Sequence, residues 1–268
     1  MAKDINVLVV EEDLYSRDMM TMLLTRDWRT RVVGELHNYD LISDFLAQPM
    51  QPLDVILIGL ETPAEQDWPF KVIEDLQKLP DPPIVLYAGT SLESSITRDL
   101  DKPTFGGFLL KSEIAYSIAS AVALTYQGNC VITPGVKNLA RNQAFTKPVL
   151  VIDGSHKVVN FSRRESEIIH LGILFNMSQR DLADELLIGT DWISETMSNI
   201  YEKLGLREIL SGEVPLELYF EDDVVIAHIE RILDRGKEPS NTGKFKRAPW
   251  MSTLAFHLLT VPEVDELM

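Results

Sequence analysis

Few side chains in this sequence are grouped in a way that could support chemistry. Three acids, Glu11, Glu12 and Asp13, follow a short apolar run, and grouped carboxylates can hold a divalent cation. The histidines are His37, His156, His170, His228 and His257. They show no metal-ligand spacing, Cys130 is the only cysteine, and the chain carries no phosphate loop, nucleophile elbow or dinucleotide fingerprint. We therefore expect no enzyme activity, no metal site and no cofactor.

The composition is that of a packed protein with about two modules. The chain has 268 residues, of which 45% are hydrophobic and 25% charged. With 25 basic and 41 acidic residues, its formal net charge is −16, which disfavours nonspecific attraction to nucleic acids and anionic membranes. A single cysteine suits a reducing compartment, and no signal peptide or apolar run of about 20 residues is present. These features predict a cytoplasmic protein without membrane association.

The first 126 residues alternate between two hydrophobic patterns. Short apolar runs typical of strands occur at 5–10, 30–34, 54–58, 83–87 and 105–110. Helical spacing occurs between and after them, at about 14–26, 39–47, 68–79, 92–100 and 113–126. Near-continuous apolar strands alternating with helices are typical of a parallel sheet covered on both faces. We therefore predict an α/β domain with a doubly wound, five-stranded parallel sheet.

After this domain the sequence becomes less regular and then helical. Residues 127–159 contain several glycines and prolines and predict a linker. Ser162 and Glu165 have the spacing of a capping box, and Ser178 is placed to cap a second helix. The third helix begins near Thr190, after a tight turn containing glycine, which predicts a helix-turn-helix.

The division that follows has four parts. They are the sheet domain 1–126, the linker 127–159, an all-α helix-turn-helix domain 160–209 and a helical C-terminal extension 210–268. The extension predicts helices at 222–235 and 249–259. The second of these is too apolar to remain in water and must pack against other elements.

Two stretches resemble known families. The segment FSRRESEIIHLGILFNMSQRDLADELLIGTDWISETMSNIYEKLGL, residues 161–206, resembles the LuxR-type helix-turn-helix. The first domain resembles a response-regulator receiver, with paired acids after the first strand and GFLLK at the fifth. The connector GNCVITPGV also resembles the link between these two modules. The similarity covers roughly residues 5–206 and implies an atypical response regulator of the LuxR/FixJ type.

The resemblance places the receiver pocket on particular residues. A receiver accepts a phosphoryl group on an aspartate, helped by acids that hold a metal, a lysine and a small hydroxyl. Glu11 and Glu12 take the positions of the acids and Lys111 that of the lysine. Gly59 takes the position of the nucleophile and Tyr87 that of the hydroxyl. Glycine cannot form an acyl phosphate, so the resemblance implies a pseudo-receiver that works without phosphorylation.

Two alternatives remain for this pocket. Glu61 and Asp67 are nearby acids that could substitute for the missing nucleophile, although neither lies in its register. Lys111 could either neutralise the acids or leave them to bind a metal, and the loss of the nucleophile favours neutralisation. The domain would then serve in dimerisation or in sensing a ligand or protein.

The third helix has an unusual exposed face for a DNA reader. Its periodicity turns Ile193, Met197, Ile200 and Leu204 inward. The candidate DNA-binding residues of the domain are Arg163, Arg164, Ser178, Arg180, Asp191, Trp192, Ser194, Glu195, Asn199 and Lys203. Asp191 and Glu195 stand where the family commonly has lysine and asparagine. Five basic against nine acidic residues over 160–210 give a net charge of −4, which predicts weak DNA binding.

Two functions remain open at this stage. The first is a transcriptional regulator that binds duplex DNA as a homodimer, independently of phosphorylation and with a regulatory protein as a possible partner. The second is an interaction protein that does not bind DNA and acts through the acidic helix and the C-terminal extension. Trp192 could contact a thymine methyl group, anchor a protein partner or pack against the extension.

Overall fold

The chain forms two compact units, and one of them is discontinuous in sequence. The computed structural model describes residues 4–47, 52–60, 76–91, 102–141, 145–154, 161–220, 222–235 and 248–267. The sheet unit comprises residues 1–156 together with 262–268, and the helical unit comprises residues 157–261. The C-terminal residues therefore belong to the same unit as the N-terminal half of the chain.

The sheet unit contains a single sheet of eight strands among the described residues. The strands are β1 (Ile5–Val10), β2 (Thr30–Leu36), β3 (Val55–Leu60), β4 (Ile84–Gly89), β5 (Phe105–Leu110), β6 (Cys130–Ile132), β7 (Val149–Asp153) and β8 (Glu263–Glu266). Their spatial order is β2-β1-β3-β4-β5-β6-β7-β8, and every neighbouring pair is parallel except β7 and β8. All six residues of β1 are buried, as expected for a strand covered on both faces.

The predicted α/β fold with its parallel sheet is confirmed, but the sheet is larger than five strands. The five predicted apolar runs form β1 to β5. The segment predicted as a linker, 127–159, is different: it contributes β6 and β7, which continue the parallel sheet. The reason is that Cys130, Val131 and Ile132 are all buried, and adding them to the sheet removes their apolar surface from water. The glycines and prolines separate these short strands.

Helices cover the sheet in the described part of this unit. They are α1 (Leu14–Arg26), α2 (Ile42–Leu46), α3 (Lys111–Ile114), α4 (Ile118–Tyr126) and α5 (Lys137–Ala140). The helix predicted at 113–126 is interrupted, because Ala115 adopts a positive φ of 45° and separates α3 from α4. The helix predicted at 92–100, and most of the one predicted at 68–79, lie outside the described residues.

The helical unit contains the predicted helix-turn-helix. Its helices are α6 (Arg163–Ile168), α7 (Gln179–Leu186), α8 (Thr190–Lys203), α9 (Leu206–Ser211), α10 (Asp223–Arg235) and α11 (Ala248–Thr260), with a π-helical turn (Ile169–Leu174) after α6. The capping box is present, since Ser162 Oγ accepts from the Glu165 N–H and the Glu165 carboxylate accepts from the Ser162 N–H. Ser178 caps α7 by accepting from the Asp181 N–H.

The C-terminal extension is divided between the two units. The two predicted helices are present as α10 and α11, and α11 packs against the π-helical turn and α9. Its residues Leu254–Thr260 are all buried, which explains the apolar composition of this stretch. The last strand, β8, belongs to the sheet unit, so the extension is not helical to its end. Among the described residues, no helix is both long and apolar enough to cross a membrane.

Candidate functional site

A buried ion pair occupies the place where the receiver pocket was predicted. Glu11 lies at the carboxyl end of β1 and is 1% exposed. Its Oε2 accepts a hydrogen bond from Lys111 Nζ at 2.7 Å, and its Oε1 accepts from the Asp13 N–H at 3.0 Å. Lys111 also donates to Ser16 Oγ at 3.2 Å. Both oxygens of the carboxylate are therefore occupied by donors, which is the requirement for burying a charge at modest cost.

Gly59 lies directly beside this carboxylate. A Cβ atom added to Gly59 would overlap the Glu11 carboxyl group. The space that a side chain at position 59 would need is therefore filled by Glu11. Position 59 thus has no carboxylate and no room for one in the observed conformation of the described residues.

Lys111 owes its position to the additional strands of the sheet. It is the first residue of the short helix α3, and Glu113 anchors that helix twice. The Glu113 carboxylate accepts from the Gly135 N–H at 2.8 Å, and its backbone carbonyl accepts from the Gly154 N–H at 3.0 Å. Gly154 directly follows β7, and a Cβ there would collide with the Ile114 carbonyl. Sequence reasoning missed these anchors, for which the glycines were the available signal.

The remaining predicted pocket residues do not join this cluster. Glu12 is exposed. Tyr87 is the register partner of Ile58, whereas Gly59 pairs with Ala88, so Tyr87 and Gly59 face opposite sides of the sheet. Tyr87 is 1% exposed, and its ring centroid lies 6.2 Å from that of Phe105. Its placement in the pocket was wrong, because the aromatic ring is buried in the hydrophobic core.

The two acids considered as substitute nucleophiles cannot be placed. Glu61 and Asp67 lie outside the described residues. Within the described part of the chain, no group of three or more histidine, cysteine, aspartate or glutamate residues could hold a metal ion.

The third helix of the helical unit, α8, presents the predicted faces. Ile193, Met197 and Ile200 are buried, while Leu204 after the helix is half-buried. The exposed residues of α8 include Asp191, Trp192, Ser194, Glu195, Asn199 and Lys203. Thr196, which the periodicity left unassigned, is also buried at 8% exposure.

Three of the four predicted cations are paired with acids. Lys203 Nζ lies 2.7 Å from Glu165 Oε1 and 2.9 Å from Glu165 Oε2. Arg163 and Arg164 both contact Glu167, at 3.2 and 2.8 Å. These pairs reduce the positive charge that the surface can offer to a phosphate. Arg180 is exposed and has no ion pair within the described residues.

Glu165 links the first and third helices of the motif. Its carboxylate completes the capping box of α6 and also binds Lys203 at the end of α8. The hydrogen bond from Lys203 and the bond from the Ser162 N–H hold the pKa of Glu165 below its ordinary value. The sequence indicated the capping box, but the contact with Lys203 appears only in the folded unit.

A groove runs between the start of α6 and the exposed face of α8. It has a volume of about 280 Å³ and is lined by Ser162, Arg164, Glu165, Trp192, Glu195, Thr196 and Asn199. Trp192 is 42% exposed, so part of its ring is open to solvent. The groove therefore combines an aromatic surface with the Arg164 cation and with Glu195, which forms no ion pair within the described residues.

The chain is similar in sequence to known bacterial proteins. No protein-family model matches it. It is 22% identical to the Fimbriae Z protein of Salmonella typhimurium over 208 residues, which are 78% of this chain and 94% of that protein. It is 25% identical to the transcriptional regulatory protein LnrK of Bacillus subtilis over 129 residues, which are 46% of this chain and 58% of that one.

Two solved response regulators align with most of the chain. The RcsB response regulator of Salmonella typhimurium covers 75% of this chain and 92% of its own, with 18% identity and a TM-score of 0.43. The alignment with the response regulator ChrA of a heme-sensing two-component system covers 86% of this chain and 98% of ChrA, with 20% identity and a TM-score of 0.39. Both of these proteins are response regulators, the class that the sequence motifs resemble. The match to the Fimbriae Z protein covers 78% of the chain and so includes parts of both units.

The contact between Gly59 and Glu11 predicts a specific coupling. Gly59→Ala should destabilise the protein by about 1–3 kcal/mol, because the new methyl group overlaps the carboxylate. The penalty should be smaller in a Glu11→Ala background, which provides space, and urea unfolding of the four proteins measures this coupling. Gly189→Ala is the control, since a Cβ there meets no atom within 4 Å. Equal penalties in both backgrounds would contradict the packing described above.

The Glu165–Lys203 pair predicts a pH-dependent stability. Because the folded-state pKa of Glu165 is lowered, its contribution is present above the ordinary carboxyl pKa and is lost as the pH falls through the lowered value. Glu165→Gln should therefore destabilise the helical unit at neutral pH, with a difference that shrinks in acid. Glu167→Gln is the matched control: Arg164 and Arg163 lower the pKa of Glu167 as well, but its carboxylate is 30% exposed against 12% for Glu165, so its ion pairs are screened by solvent and worth little. Urea unfolding at neutral pH and in acid measures the loss of stability caused by Glu165→Gln. An equal loss at both would contradict this prediction.

Proposed function

We propose that this chain, which is similar to response regulators, is a transcriptional regulator that binds duplex DNA through α7 and α8 and acts without aspartyl phosphorylation. The observation that carries the second half of the proposal is the Glu11 carboxylate in the space beside Gly59. The first half is supported by the helix-turn-helix geometry and by the similarity to a transcriptional regulatory protein.

The proposed pseudo-receiver differs from a working receiver in its chemistry. Phosphoryl transfer to a receiver needs a carboxylate that can attack phosphorus and a lysine that is available to the phosphoryl oxygens. Gly59 supplies no carboxylate, and Lys111 is engaged by Glu11 at 2.7 Å. The ion pair therefore holds the end of β1 and the start of α3 together without a phosphoryl group. Input to this unit would come from dimerisation or from a protein or small-molecule partner.

The proposal predicts the response to small phosphodonors. Incubation with acetyl phosphate and magnesium should leave the mass of the protein unchanged, because no nucleophile lies at position 59. Intact-mass spectrometry measures this directly, with a phosphorylatable response regulator as the positive control. One added phosphoryl group that hydroxylamine removes would contradict the proposal and direct attention to Glu61 or Asp67.

The DNA-binding face is electrostatically weak in this proposal. In a helix-turn-helix, the N-terminal residues of the recognition helix, which is α8 in this chain, approach the base edges. Here that region carries Asp191 and Glu195, which are both exposed. Each repels phosphate unless it accepts a hydrogen bond from a base such as cytosine. Single units should consequently bind DNA weakly, with Arg180, which has no ion pair in the described part of the chain, as the best-placed cation.

Dimerisation would compensate for a weak single unit. Two linked helix-turn-helix modules can contact half-sites one helical turn apart, and the second contact then benefits from a high local concentration. The structural neighbour RcsB is described as dimers bound to DNA. We propose a homodimer for this chain as well, with the sheet unit providing the pairing surface.

The acids on α8 give the decisive prediction. The double substitution Asp191→Lys and Glu195→Asn removes two negative charges and adds one positive charge. Nonspecific affinity for duplex DNA should rise at least about tenfold at low salt, with a steeper dependence on salt. Fluorescence anisotropy with a mixed-sequence duplex measures both effects.

A matched control separates local from global charge. Asp184→Lys with Glu185→Asn makes the same charge change on exposed positions of α7 and should raise affinity less. Tight, selective binding by the wild type that the α8 substitution abolishes would mean that the acids read bases. Failure of every variant to bind would instead favour the second candidate function.

That second candidate is a protein-interaction module that does not bind DNA. The observation that favours it is the groove containing Trp192, Glu195 and Asn199, because an exposed aromatic residue beside an acid suits a partner with basic side chains. A helical module with three of its four candidate cations paired to acids also has little residual attraction to a polyanion.

A further inference from the structure

The most unexpected feature of the fold is the last strand, β8. The sheet unit is interrupted after residue 156 and resumes at residue 262, so the entire helical unit is inserted between β7 and β8. These two strands are nevertheless neighbours in the sheet, and Asp153 is the register partner of Glu263. Both ends of the helical unit are therefore fixed to adjacent strands, one at each end of the insertion.

The β8 strand is held mainly by its backbone. All four of its residues are exposed, including Val264 at 37%. Leu267, just beyond the strand, packs against the hydrophobic core, and its N–H donates to the Val149 carbonyl at 3.0 Å. A four-residue edge strand with exposed side chains belongs to the elements that open locally at low free-energy cost.

We propose that β8 is a releasable clasp that controls how freely the helical unit can move. With β8 paired, the helical unit is tethered at both ends. With β8 released, the helical unit is joined to the sheet unit at one end alone, where the chain passes from residue 156 to residue 157. Release of β8 therefore removes one of the two attachments of the helical unit and increases its freedom to move.

The consequence for DNA binding rests on the proposed function. Two modules of a dimer must be positioned on half-sites about 34–36 Å apart, and modules with restricted range meet this requirement less readily. Release of β8 should therefore strengthen DNA binding, and locking β8 should weaken it. In this way the clasp would regulate DNA binding in a receiver-like unit that is not phosphorylated.

The register identifies a variant that opens the clasp and a matched control. Because Leu267 donates to Val149, the antiparallel pattern directs the N–H of Asp265 toward Val151 and the N–H of Glu266 toward solvent. Asp265→Pro removes a ladder hydrogen bond, whereas Glu266→Pro removes none. Both residues are exposed acids, so the two variants have the same charge.

The clasp can also be locked. Leu150 and Glu266 are register partners in a pair without mutual backbone hydrogen bonds, where Cα atoms lie about 4.5 Å apart and suit a disulfide. The variant Leu150→Cys with Glu266→Cys should therefore form a cross-link between β7 and β8. The native thiol will not compete, because Cys130 is buried and burial raises its pKa to about 12.

Amide hydrogen exchange tests the clasp without any ligand. In the wild type, the amides of Val151 and Asp153 should exchange faster than those of β1, which reports local opening of β8. Asp265→Pro should accelerate them by at least about tenfold relative to Glu266→Pro, and the cross-link should slow them. The proposal would be overturned if the amides of Val151 and Asp153 exchanged no faster than those of β1. It would also be overturned if their exchange rates were the same in the two proline variants.

Binding to a mixed-sequence duplex tests the functional consequence. Relative to Glu266→Pro, we expect Asp265→Pro to bind at least about threefold more tightly and the oxidised cross-linked protein to bind more weakly, with recovery on reduction. Equal affinities for the released and locked proteins would overturn the control function. If no variant binds DNA, the proposed DNA-binding function fails, and the exchange measurement still decides whether the clasp exists.

Discussion

The ion pair between Glu11 and Lys111 is the interaction on which the sheet unit's candidate site depends. A carboxylate that is 1% exposed needs a charged partner, because burying an isolated charge costs several kcal/mol. Lys111 provides that partner at 2.7 Å, and the side chain of Glu11 then fills the space beside Gly59. The ion-paired Glu11 side chain can therefore take this position because residue 59 has no side chain.

This ion pair connects the pocket to the strands that extend the sheet. Lys111 begins α3, and Glu113 in the same helix accepts hydrogen bonds from Gly135 and Gly154. Gly154 follows Asp153, the residue that pairs with Glu263 of β8. A continuous series of contacts thus runs from the pocket to the strand proposed as a clasp.

In the helical unit, one carboxylate serves both structure and electrostatics. Glu165 caps α6 and holds Lys203, so the cation at the end of α8 is used inside the motif. Arg163 and Arg164 are paired with Glu167 in a similar way. The same few cations therefore form the ion pairs of the motif and would have to contact the phosphates of a polyanion. In the proposed function, the acids on α8 make DNA affinity depend on dimerisation and on the release of β8.

The sequence by itself determined the fold class, the five apolar strands and the helix-turn-helix, because hydrophobic periodicity and capping residues are local signals. It also determined that Gly59 cannot accept a phosphoryl group, since this follows from residue type alone. Tertiary structure decided that Glu11 fills the space beside Gly59, that Tyr87 faces the core and that Lys203 binds Glu165. It also decided that 127–159 contributes two strands and that the chain returns to the sheet through β8. These features depend on pairing between residues far apart in the chain, which short apolar runs and isolated glycines do not encode.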